Sequence, residues 1–90
     1  MELREEKLSR AISAFSRRQI LRLLADGDMT VKEIATSTNM SMSLASRHLS
    51  MLRDLGILDV KRKHPFKFYS LKIKEIKGLL DMYDKVIQKI

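Results

Sequence analysis

The chain of 90 residues has no cysteine, no tryptophan, one proline and three glycines. Without cysteine there is no disulfide, no thiolate metal site and no cysteine nucleophile, and a reducing compartment is compatible. The single Pro65 and the scattered Gly27, Gly56 and Gly78 leave no Pro- or Gly-rich linker. Residues 1–90 are therefore expected to form one domain. No apolar run approaches the roughly 20 residues of a membrane span. The start, Met1-Glu2-Leu3-Arg4-Glu5-Glu6, is acidic rather than a signal peptide, so a cytoplasmic protein without a membrane partner is expected. The two histidines, His48 and His64, fall on different segments with no third ligand at a suitable spacing, which argues against zinc. Acids are scattered, no Gly-rich phosphate loop occurs, and no serine has His and acid partners. Neither a catalytic site nor a cofactor is expected.

Apolar residues make up 44% of the chain and charged residues 32%, enough to bury a core and fold. Lys plus Arg number 18 against 11 Asp plus Glu, a net charge of +7 that favours a polyanionic partner. The charge is uneven. Residues 57–70 hold Lys61, Arg62, Lys63 and Lys67 against Asp59 alone, or +3 within one short stretch.

Apolar spacing predicts a first helix over residues 2–14, with Leu8, Ala11, Ile12 and Phe15 as one stripe. A second helix is expected after Ser16 as N-cap, ending before Gly27. Thr30-x-x-Glu33 is a capping box that opens a short third helix, closed by Asn39. Ser41 caps a fourth helix that runs to Leu55, with Gly56 as its stop. Residues 57–62 and 67–71 are β-prone, and Lys63-His64-Pro65-Phe66 between them reads as a tight turn. Residues 72–90 form a last helix. There Ile73, Ile76, Leu80, Tyr83, Ile87 and Ile90 alternate spacings of three and four, a coiled-coil seam widened by Leu79 and Val86.

The predicted architecture is mainly α with a small β-hairpin wing, in the order α-α-α-α-β-β-α. Its third and fourth helices form a helix-turn-helix. On the fourth helix, Ala45, Leu49 and Leu52 share one side, with Leu44, His48 and Leu55 beside them. The other side carries Ser43, Ser46, Arg47 and Ser50 and is free of acids until Asp54. Such a short-chained face fits a major groove, with Arg47 positioned for guanine or phosphate and Ser41, Ser43 and Ser46 for either. Met42 is a candidate for a thymine methyl contact. The hairpin beside it offers Arg62, Lys63, His64 and Lys67 to phosphates. Arg17, Arg18 and Lys32 are further phosphate candidates. His48 is expected at the core boundary, and Met40 and Met51 as core fillers.

The run Ser41-Met42-Ser43-Leu44-Ala45-Ser46-Arg47-His48-Leu49, followed by Leu52, Leu55 and Gly56, resembles the recognition helix of ArsR-type winged-helix transcription regulators. Residues 16–21, 29–35 and 68–71 resemble the family's second helix, the start of its helix-turn-helix and its second wing strand. The resemblance implies a homodimer on a pseudo-palindromic operator in double-stranded DNA, usually a repressor, joined through the terminal helices. The sequence offers Leu8, Ile12, Ile76, Leu80, Tyr83, Ile87 and Ile90 for that contact. The family's metal-sensing members carry two Cys where this chain has Thr30 and Lys32, and the last helix has no His. Metal is therefore not an expected partner. The competing readings are a winged helix used for protein–protein assembly and a basic amphipathic protein at a membrane surface.

Overall fold

In the computed structural model, which describes residues 2–90, the chain order is α1 (Arg4–Ile12), α2 (Phe15–Ala25), α3 (Val31–Thr38), α4 (Met42–Asp54), β1 (Leu58–Lys63), β2 (Phe66–Leu71) and α5 (Ile76–Gln88). The helix-turn-helix forms where its caps place it. At Thr30, the hydroxyl accepts the Glu33 N–H at 3.2 Å and the Glu33 carboxylate accepts the Thr30 N–H at 2.9 Å. These bonds, the backbone one first, hold the Glu33 carboxyl below the usual carboxylate range. Asn39 closes α3 in the left-handed region at φ 57°. Ser41 Oγ then accepts the Leu44 N–H at 3.0 Å and starts α4. Gly56, at φ 84°, turns the chain out of α4 into β1.

β1 and β2 pair antiparallel, from Leu58 opposite Leu71 at the base to Lys63 opposite Phe66 at the tip. The hairpin is tied to the helical part at its base. Met29 and Tyr69 exchange backbone hydrogen bonds of 3.1 and 2.8 Å, so the residues just before α3 act as a one-rung third strand. The core lies between these layers. Ile20, Leu21 and Leu24 of α2, Ile34 of α3, Ala45, Leu49 and Leu52 of α4, Leu58, Tyr69 and Leu71 of the hairpin, and Ile76 and Leu80 of α5 form one buried cluster. Met40 and Met51 pack at its margin, as expected of gap fillers.

Three boundaries differ from the sequence reading. The first helix stops at Ile12, and the second begins at Phe15 rather than after Ser16. Ala14 is extended (ψ 136°) and its carbonyl already accepts the Arg18 N–H, so Ser16 lies inside α2 and caps nothing. The break swings Phe15 out of the predicted stripe and leaves it exposed. At the other end, α5 begins at Ile76, four residues later than expected. The Lys72 N–H still extends the sheet ladder to the Ile57 carbonyl at 2.9 Å, and the chain needs residues 73–75 to turn. Strand ends shift by one residue.

Leu49 is fully buried at the centre of the cluster and Thr30 caps from the surface. Leu49→Ala should cost about 2–5 kcal/mol of unfolding free energy. Thr30→Ala should cost about 1 kcal/mol. Urea denaturation of both variants checks this; a larger loss at Thr30 than at Leu49 would contradict this placement of the core.

Candidate nucleic-acid interface

Burial of Ala45, Leu49 and Leu52 leaves the opposite side of α4 in solvent. Met42, Ser43, Ser46, Arg47 and Ser50 are all exposed there, and no acid interrupts them before Asp54. Ser41 is exposed too, but its hydroxyl oxygen is engaged as the cap. Lys32 of α3 lines the same shallow groove as Met42, with Thr36 and Asn39. A second groove runs between α4 and α1, where Ser46, Arg47 and Ser50 face Lys7 and Arg10. These two cations were missed in the sequence, because the turn at residues 13–14 that folds α1 back beside α4 has no clear signature. Arg10 is paired with Glu2 at 2.8 Å, while Lys7 is in no ion pair among the described residues.

The hairpin packs beside α4 through β1. Lys61, Arg62, Lys63 and His64 are exposed, and Arg62 stands directly opposite Lys67. Like charges on one rung repel, so an anion at this site relieves a cost the free protein carries. Lys67 is half-buried, with its ammonium 5.8 Å from the centroid of the Tyr69 ring, and is the least free of the wing cations. Lys61 is the more accessible group, although sequence reading placed it only in the general basic patch.

Two of the cations expected at phosphates are engaged within the protein. Arg18 donates to the Ile12 carbonyl at 2.6 Å and lies 4.9 Å over the Tyr83 ring. Arg17 donates to the Arg10 carbonyl at 2.9 Å and to Ser13 Oγ at 3.1 Å. Both guanidiniums cap the carbonyls at the C-terminus of α1, where unpaired acceptors and the helix dipole favour cations. Of the two, Arg17 remains close enough to α4 for its charge to act on His48.

The predicted apolar seam is also divided. Ile76 and Leu80 are 3% and 2% exposed and belong to the protomer's own core, so they have no surface for a partner. Leu8 and Ile12 pack against that core, and Tyr83 is half-buried under Arg18. The outward face of α5 is instead Leu79, Met82 and Val86, continued by Ile87 and Ile90. Burial of Ile76 and Leu80 sets this rotation, and the Arg22–Asp84 pair, at 2.6 Å, joins α2 to the same helix. Beside it lies an open apolar cavity of about 420 Å³, lined by Leu8, Leu55, Ile57, Ile73, Ile76 and Leu79, with Arg4 and Lys7 among the residues around it.

The bacterial regulatory proteins of the arsR family match residues 16–60, from the start of α2 into β1. The chain belongs to this family. It is a winged helix-turn-helix transcriptional regulator. Among its relatives, the transcriptional repressor SdpR of Bacillus subtilis is 44% identical over 62 residues, 69% of each chain. The transcriptional activator HlyU of Vibrio cholerae is 29% identical over 79 residues, 88% of this chain and 73% of HlyU. A homodimeric winged helix-turn-helix DNA-binding domain from Mycobacterium bovis superposes with a TM-score of 0.85, covering 96% of this chain and 80% of that one at 28% identity. For this arsR-family chain, the matched segment includes the whole of α4 and its outward serine and arginine face.

His48 sits at the margin of that face. Burial first, then the Arg17 and Arg47 charges, lower its pKa from the usual imidazole value. The unfolded chain thus takes up a proton that the folded protein resists. Stability is complete above the ordinary His range and falls as pH drops through it toward the folded value. Thermal midpoints should decline between about pH 7.5 and pH 5.5, and His48→Gln should flatten that decline. Equal slopes in the two proteins would show that His48 is not the group responsible.

Proposed function

We propose that this protein acts in the cytoplasm as a homodimer that recognises a pseudo-palindromic duplex operator and represses transcription, by binding alone rather than by catalysis. The observation that carries this reading is the outward face of α4, free of acids before Asp54 and packed beside a hairpin whose cations have no ion-pair partners among the described residues. Arg47, with Ser43, Ser46 and Met42, contacts base edges in the major groove. Arg62, Lys63 and His64 lie on the phosphate backbone, joined by Lys67 and by Lys32 across the α3 groove. The higher identity to a named repressor supports repression over activation. No metal takes part: the Thr30 hydroxyl is committed to the α3 cap, and Lys32 is a cation.

The dimer reading rests on the outward stripe of α5. Leu79, Met82 and Val86 follow helical spacing of three and four, and Met82 and Val86 are 57% and 53% exposed. With the apolar cavity beside α1, they make a continuous unpartnered surface of the kind monomers rarely leave in water. Two protomers joined there would present their α4 helices to half-sites about 34–36 Å apart.

Arg47→Ala should weaken specific binding by about 1–3 kcal/mol and relax discrimination at one base pair. Lys63→Ala should weaken binding to all sequences alike and lower the salt slope by about one. Titrations at several salt concentrations separate these effects; an Arg47→Ala variant that loses all duplexes equally would remove the base-reading role.

Met82→Glu combined with Val86→Glu should give folded monomers by light scattering, since neither side chain belongs to the core. An unchanged dimer mass would place the interface elsewhere.

A further inference from the structure

The hairpin carries a feature that phosphate binding does not use. Phe66 is 59% exposed at the wing tip. Side chains two apart on a strand share a face, so Phe66 and Phe68 lie together, and their rings meet edge to face with centroids 6.3 Å apart. The register places Lys63 directly opposite Phe66 and Lys61 directly opposite Phe68. This face therefore alternates aromatic and cationic groups across the ladder. The other face carries Val60, Tyr69 and Leu71 toward the core, so the aromatic pair is turned away from the body of the protein.

We propose that Phe66 is an apolar wedge that enters the minor groove of the bound duplex next to the α4 site, with Phe68 bracing its ring and Lys61 and Lys63 on the flanking phosphates. The inference rests on the DNA-binding reading above. Charge complementarity selects this occupant: the aromatic pair is framed by Lys61 and Lys63 on its own face, and neither is in an ion pair among the described residues. A minor groove about 6 Å wide excludes a helix but admits the edge of a two-residue turn. Phenylalanine is among the residues that part base steps there. Parting a step is cheapest at flexible pyrimidine–purine steps such as TA or CA. The wedge thus adds sequence preference at a flanking step that α4 does not touch, once per half-site.

The test compares the full-length wild type with Phe66→Ala, Phe66→Leu and Lys63→Ala. The duplexes share one α4 site and differ only in the flanking step, TA against a G·C-only step. Wild type should bind the TA-flanked duplex about tenfold more tightly. Phe66→Ala should lose that preference while keeping the wild-type salt slope, because no phosphate contact is removed. Phe66→Leu should keep most of the preference, since an apolar body remains to part the step; its retention also guards against a folding defect at this position. Lys63→Ala should show the reverse pattern, with the preference kept and the slope reduced. A Phe66→Ala variant with wild-type affinity and preference overturns the wedge, and so does a wild type indifferent to the flanking step. A wild type with no salt-dependent binding to any duplex overturns the DNA-binding reading and the wedge with it.

Discussion

Thirteen residues of α4 must satisfy two media at once. Ala45, Leu49 and Leu52 lose all contact with water against α3 and β1, and burying a leucine side chain contributes about 1.5–3 kcal/mol. Rotating the helix to bury any other side would strand Arg47 and three serine hydroxyls in the core, where unpaired polar groups are costly. The helix is therefore locked in one rotation, and that rotation turns Ser43, Ser46 and Arg47 outward. The caps at Thr30 and Ser41 fix where α3 and α4 begin, and the Met29–Tyr69 bridge fixes the hairpin beside them. A face able to read DNA thus follows from the packing of the face behind it.

The terminal helices are joined to this unit by polar contacts as well as by the core. Arg17 and Arg18 satisfy the last carbonyls of α1, and Arg18 stacks on Tyr83 of α5. Arg22 reaches Asp84. Side chains of α2 thereby contact both terminal helices. An arginine that seems available to phosphate in the sequence is here a strut between helices. Beside α4, cations in no ion pair among the described residues include Lys61, Arg62 and Lys63 on the wing and Lys32 and Lys7 on its flanks.

Features governed by local chemistry were legible in the sequence. The capping box at Thr30, the Asn39 stop, the Ser41 cap and the hairpin turn each depend on a few adjacent residues, and each was placed correctly. So was the division of α4 into core and solvent faces, because a helical wheel needs only spacing. What was not legible depends either on a break with no clear local signature or on partners distant in sequence. Ser16 has the right chemistry for a cap, but Ala14 makes the break. Ile76 and Leu80 fit a coiled-coil seam by spacing, yet they pack into the protomer's own core while Leu79, Met82 and Val86 face outward. Lys7 and Arg10 beside α4 were invisible for the same reason, since α1 is thirty and more residues away from it along the chain.

In the proposed dimer, two copies of the α4 face read one duplex. Selection of bound duplexes from a random library, using the 90-residue chain at a fixed salt concentration, tests it most directly. The expected result is enrichment of a pseudo-palindrome whose half-sites are centred about one helical turn, or a multiple of it, apart. Recovery of single, unpaired half-sites would contradict the dimer, and recovery of no enriched sequence at all would contradict base readout by α4.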